Sequence, residues 1–219
     1  MIDEGVIKYR CTWEKTAAVR PSDIAELTRY RNALHQLNFI NQYPNGIGFG
    51  NISTRIKSNS DTPQFIISGT QTAHLSTLTA ADCAKVTAFS PAQNHLTCQG
   101  LRQASSESLT HGVIYAQNAN ISAIIHVHHR QLWQHLLHNI PTTRATVPYG
   151  TPEMAIETQR LFQETNLLQT RCFAMAGHEE GIVTFGENLQ EAYCALINRG
   201  IEAQVIPQTT EQHPSNNAP

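Results

Sequence analysis

The chain has 219 residues, 15 Lys and Arg against 17 Asp and Glu, and a formal net charge of −2 at pH 7. That balance gives no electrostatic case for nucleic acid or an anionic membrane surface, and the length suits one α/β domain with a sizeable core. Five widely spaced cysteines (Cys11, Cys83, Cys98, Cys172, Cys194) form no C-x-x-C pair, which excludes a zinc ribbon or disulfide framework and fits a reducing cytoplasm. Met1-Ile2-Asp3-Glu4 lacks the basic and apolar regions of a signal peptide, and no apolar run approaches the ~20 residues of a membrane helix.

Residues 1–20 show no clear period and read as an irregular arm or short strand ahead of a domain over 21–206. Pro21-Ser22 opens a helix, with Ser22 as its cap and Ile24, Leu27, Tyr30, Leu34 and Leu37 at three- and four-residue spacing. Asn41 to Gly46 is a turn-forming cluster, and Gly46 to Ser53 a glycine-rich turn entering a strand. Gln64 to Ile67 is a strand ending in the hydroxyl-bearing turn Ser68-Gly69-Thr70. Ser105 or Ser106 is expected to cap the next helix. Ser122 to His128 reads as a strand, His129 to Leu137 and Glu153 to Glu164 as helices. Cys172 to Ala176 and Ile182 to Phe185 form a hairpin, and a helix capped near Asn188 follows. Residues 207–219 are polar, contain Pro, and are expected to be disordered. Interspersed helices and a hairpin predict an α/β layered domain with a largely antiparallel sheet.

Chemistry concentrates at His126-Val127-His128. Residues i and i+2 of a strand share a face, so both imidazoles can serve one divalent metal; the alternative is a polar strand end. A third ligand has to come from elsewhere. His178, in a Gly-flanked turn, is the better candidate, because His129 would point to the other face. The remaining seven histidines lack ligand spacing and read as surface or packing residues. Glu107 is placed either as an acid/base group beside the metal or as a carboxylate complementing a helix dipole. The turns at Gly50-Asn51, Ser68-Gly69-Thr70 and Ser105-Ser106 make an anion cradle if they converge, and are unrelated loops if they do not.

Together, Gly50-Asn51-Ile52-Ser53, Ser68-Gly69-Thr70, Ser105-Ser106-Glu107, His126-Val127-His128 and His178 resemble the motifs of the class II aldolase/adducin family over about residues 24–200. The resemblance implies a three-layer domain with a central, mainly antiparallel sheet flanked by helices, assembled as a homotetramer with sites at subunit interfaces. It implies Zn2+ (or another divalent transition metal) on His126, His128 and His178, and Glu107 as catalytic acid/base. Asn51, Ser68, Gly69, Thr70, Ser105 and Ser106 would hold the substrate phosphate. The implied reaction is retro-aldol cleavage of a small sugar or sugar phosphate through a zinc-stabilised enediolate. The same scaffold also serves dehydratases and 4-epimerases of pentulose or methylthioribulose phosphates, and a non-catalytic adducin-like interaction module. The chain departs from the family pattern at Ala104, where Pro is usual, and at Glu179-Glu180, which separate His178 from Gly181. Those carboxylates either reshape the site or point to solvent. The family's catalytic tyrosine has Tyr115, Tyr149 and Tyr193 as candidates.

Overall fold

A computed structural model describes residues 6–207. Its strands are β1 (Arg10–Lys15), β2 (Asn41–Gln42), β3 (Gly48–Phe49), β4 (Asn51–Ile56), β5 (Gln64–Ser68), β6 (Cys83–Ser90), β7 (His95–Gly100), β8 (Ala123–His128), β9 (Cys172–Ala174) and β10 (Gly181–Gly186). Its helices are α1 (Pro21–Gln36), α2 (Ser108–Gln117), α3 (Arg130–Leu136), α4 (Pro152–Glu164), α5 (Leu167–Thr170) and α6 (Leu189–Glu202). Among the described residues, eight strands form one sheet in the order β1-β7-β6-β5-β4-β8-β10-β9, and β2 pairs with β3 in a small hairpin. Every neighbouring pair in the large sheet is antiparallel except β1 with β7.

Side chains alternate between the two faces of a strand, and this alternation builds the layers. Ile52, Ile66, Ala123, Ile125, Val127 and Ile182 face one side, where they pack with Ile24, Leu27 and Leu34 of α1 and Leu189 and Leu196 of α6. Phe65, Ile67, Ile124, Val183 and Phe185 face the other, against Leu109 and Ile114 of α2 and Met154 and Leu161 of α4. Each Leu or Ile withdrawn from water in this way stabilises the fold by roughly 1.5–3 kcal/mol. Helices therefore cover both faces of a mainly antiparallel sheet, the expected three-layer α/β arrangement. No helix of the described residues is long and apolar enough to cross a membrane.

Several local expectations differ from what the chain does. Within the segment read as an irregular arm or short strand, residues 10–15 are a strand that pairs in register with β7 at the sheet's edge. Five of those six residues are exposed, so no burial period marks them. The cap of α1 is Arg20, not Ser22: Pro21 takes the first helical position, where its missing N–H costs nothing and its fixed φ suits the helix. The cap of α2 is Glu107 itself. Ser105 and Ser106 belong to a preceding turn, in which the Ser105 carbonyl accepts both the N–H of Ser108 (3.0 Å) and its hydroxyl (2.6 Å). Of the tail expected to be disordered, residues 208–219 lie outside the described residues.

Candidate metal centre

Strand β8 and the turn between β9 and β10 supply three imidazoles to one point. His126 and His128 share with Ile124 the face turned towards α2 and α4. The turn through His178 is closed by its N–H on the Met175 carbonyl (3.2 Å) and by the Gly181 N–H on its own carbonyl (2.9 Å). Glycine is required at 181, because a Cβ there would lie 2.9 Å from the His178 carbonyl oxygen and 3.3 Å from His126 Cε1. One ligand nitrogen from each histidine lies within 4.8 Å of the other two, and the three residues are 1, 2 and 5 % exposed. His129 is used elsewhere: it caps α3, its Nδ1 accepting the Leu132 N–H at 3.2 Å.

Hydrogen bonds fix which nitrogens face inward. His126 Nδ1 lies 3.2 Å from the Ile182 carbonyl oxygen, which only accepts, so Nδ1 carries the proton and Nε2 the lone pair. His128 Nδ1 lies 3.0 Å from the Tyr43 hydroxyl oxygen. Tyr43 donates to Glu180 Oε2 at 2.9 Å, so its oxygen is left to accept from His128. Burial pushes both imidazoles well below their ordinary pKa, so they are neutral at pH 7. Two Nε2 lone pairs then face one another 3.1 Å apart, with no proton to share. A divalent cation relieves that repulsion, and a three-imidazole donor set suits first-row transition metals. The residues present therefore fit a metal.

Glu107 is 1 % exposed and stands over this cluster, its Oε1 3.9 Å from His178 Nδ1. Among the three tyrosine candidates, Tyr149 stacks on His178 (centroids 4.3 Å apart, planes at 19°) with Lys8 Nζ 3.8 Å from its ring centroid. Tyr115 is instead buried against Ser53 (2.8 Å), and Tyr193 packs on Tyr30. Glu179 and Glu180 divide their roles. Glu179 is 58 % exposed and pairs with Arg130 (3.0 Å), while Glu180 turns inward to Tyr43 and also meets Arg130 Nε at 2.8 Å.

A cavity of about 580 Å³ is lined by Asn51, Gly69, Thr70, Ser105 and Ser106, while the three histidines and Glu107 lie behind its wall. The three turns thus converge. Asn51 lies opposite His126 in the β4–β8 ladder, and its buried Oδ1 has no hydrogen-bond partner among the described residues. Ser68 is the exception: its hydroxyl, 3 % exposed, accepts the Ile52 N–H at 3.2 Å and so serves the sheet, outside the cavity lining. Sequence reasoning missed Gln42, Thr72, His74 and Arg102 on the same wall. Arg102, held by Asp82 at 3.1 Å, places a cation there. No spacing pattern marks these four.

No curated protein matches the chain. Among solved structures it is similar to a sugar-phosphate aldolase from Thermotoga maritima, at 18% identity and TM-score 0.63, covering 84% of this chain and 93% of that one. It is also similar to the L-fuculose-1-phosphate aldolase of Thermus thermophilus (21% identity, TM-score 0.61, 85% and 93% covered). An aldolase II superfamily protein from Pseudomonas syringae gives 16% identity and TM-score 0.57, with 85% and 76% covered. At these identities the likeness is one of fold. The family model described as class II aldolase and adducin N-terminal domain matches residues 33–199, and with most of its length inside that match the chain belongs to the class II aldolase and adducin family.

Proposed function

We propose that the protein is a zinc-dependent lyase that cleaves a small sugar or sugar phosphate by a retro-aldol reaction. The observation carrying this reading is the convergence of His126, His128, His178 and buried Glu107 beside a polar cavity. In this reading the three imidazoles hold the ion, which when bound would supply Lewis-acid polarisation of a substrate carbonyl oxygen.

The chain's own groups do the rest. Gly69, Thr70, Ser105 and Ser106 line the cavity, and their backbone and hydroxyl groups would take the phosphate oxygens by hydrogen bonds, while Arg102 offsets their charge. Asn51 would orient a substrate hydroxyl with its Oδ1, which has no hydrogen-bond partner among the described residues. Glu107 moves the proton. Its carboxylate takes the proton of the hydroxyl whose carbon becomes the aldehyde; as the C–C bond breaks the electron pair stays on the ketose fragment, and the Glu107 carboxyl returns that proton to the ketose carbon. Burial of the histidines and of Glu107 keeps bulk water from competing for that proton. A homotetramer in the cytoplasm with sites at subunit interfaces belongs to the same reading and rests on family membership.

The test is an assay of the zinc-loaded protein with fuculose, rhamnulose, ribulose and methylthioribulose phosphates. Aldehyde release supports the proposal. A dehydrated or epimerised product alone replaces aldol cleavage with the corresponding reaction, and no turnover of any of them contradicts a sugar-phosphate lyase.

A further inference from the structure

The departure at Glu179-Glu180 has a structural use. Glu180 sits at φ 68°, in the left-handed region that glycine occupies without strain. A glutamate at such a position is disfavoured unless its side chain is employed. Here it is: Oε2 accepts the Tyr43 hydroxyl at 2.9 Å, and Oε1 receives Arg130 Nε at 2.8 Å. The Glu180 side chain is only 14 % exposed, against 58 % for Glu179 beside it. The Tyr43 oxygen in turn meets His128 Nδ1 at 3.0 Å.

Tyr43 is far from both partners in sequence and is carried by the β2–β3 hairpin, whose turn its backbone closes with Ile47 (2.8 Å) and Gly46 (2.8 Å). Its ring rests on Phe49 at 4.6 Å between centroids, and Phe49 lies 5.6 Å from His128. The same hairpin walls the cavity through Gln42, Ile47 and Gly48.

We infer that Glu180 and Tyr43 are positioning residues for the metal centre: a carboxylate–phenol–imidazole chain that holds the His128 proton on Nδ1 and aims Nε2 at the ion. This rests on the reading of His126, His128 and His178 as metal ligands. Histidine ligands commonly donate their second N–H to a carboxylate or carbonyl, and loss of that partner weakens metal binding about 10–100-fold. His126 uses the Ile182 carbonyl in that role, whereas His128 uses Tyr43 backed by Glu180.

The experiment measures zinc affinity by competition with a chromophoric chelator for wild type, Tyr43→Phe, Glu180→Gly and the double variant. Melting of each metal-free protein is recorded alongside. Both substitutions are mild: phenylalanine keeps the ring, and glycine relieves the φ 68° strain. The expected result is a loss of roughly ten-fold or more in each single variant. The double variant should be no weaker than the weaker single one, because both act through one chain. Metal-free Glu180→Gly should melt no lower than wild type. Unchanged affinity in either single variant breaks the chain and overturns the inference while the metal site stands. Affinity that falls only in step with the metal-free melting temperature assigns the contacts a purely structural role and also overturns it. A wild type that takes up no zinc removes the metal reading, and this inference with it.

Discussion

The Nε2 atoms of His126 and His128 face each other at 3.1 Å, each imidazole keeping its proton on the opposite nitrogen, towards the Ile182 carbonyl and the Tyr43 hydroxyl respectively. Buried, neutral and with both lone pairs facing inward, they form a pair that a cation could complete. In the proposed reading, the carboxylate above this pair and the backbone that brings the two rings together set what the centre does and how firmly it is held.

Glu107→Gln keeps the shape of the side chain and removes its proton-transfer capacity. With zinc content and fold retained, kcat should fall about 10²–10⁴-fold. Steady-state kinetics on whichever sugar phosphate the assay turns over check this, and unchanged turnover removes Glu107 from the chemistry.

The cavity residues should act on the phosphate rather than on the reacting carbons. Ser105→Ala and Thr70→Ala, both on the cavity wall, should each raise KM for the phosphorylated substrate by roughly ten-fold, the cost of one hydrogen bond to a charged group. KM for the unphosphorylated sugar should hardly change. An equal rise for both substrates would place the phosphate elsewhere.

His111 should make stability depend on pH. It is fully buried, its Nδ1 is 2.7 Å from the Ser53 hydroxyl, and burial pushes its pKa down to about 3. Between that value and the unfolded value of about 6.5, the unfolded chain binds a proton that the native chain does not. Stability is therefore complete above about pH 6.5, and this group's share falls by about 1.4 kcal/mol per unit as pH drops through the window. His111→Gln should be less stable at pH 7, and the gap should narrow at pH 6 and pH 5. Denaturant midpoints measure it, and a gap independent of pH would show that His111 does not titrate between the two states.

Gly50 holds the backbone at φ 78°, and a Cβ there would lie 3.0 Å from the His126 carbonyl oxygen and 3.1 Å from that of Phe39. Gly50→Ala should cost about 1–3 kcal/mol. Because one of the clashes is with His126 itself, zinc affinity should fall too. An unchanged denaturation midpoint contradicts this account of the turn.

What the sequence made legible follows periodicity and type. The run Ile124-Ile125-His126-Val127-His128 shows its strand and shared face directly, and Asn188 caps its helix as the pattern implies. Edge strand β1 was ambiguous because one exposed strand carries no burial period. The caps at Arg20 and Glu107 were misplaced because serine favours a cap, yet Pro21 and the Ser105 turn decide where the helices begin. The Ser68 hydroxyl, which the family motif places with the phosphate, also accepts a strand N–H. Tyr43 and Glu180 could not be seen together at all. They are 137 positions apart, and only the hairpin and the β9–β10 turn bring them to His128.

The most direct test of the metal centre is zinc content after equilibration with the ion and desalting, compared between wild type and His126→Ala. Wild type should retain about one zinc per chain, as a three-imidazole site with one open position does, and His126→Ala should retain close to none. Equal, near-zero zinc in both proteins would contradict the metal centre.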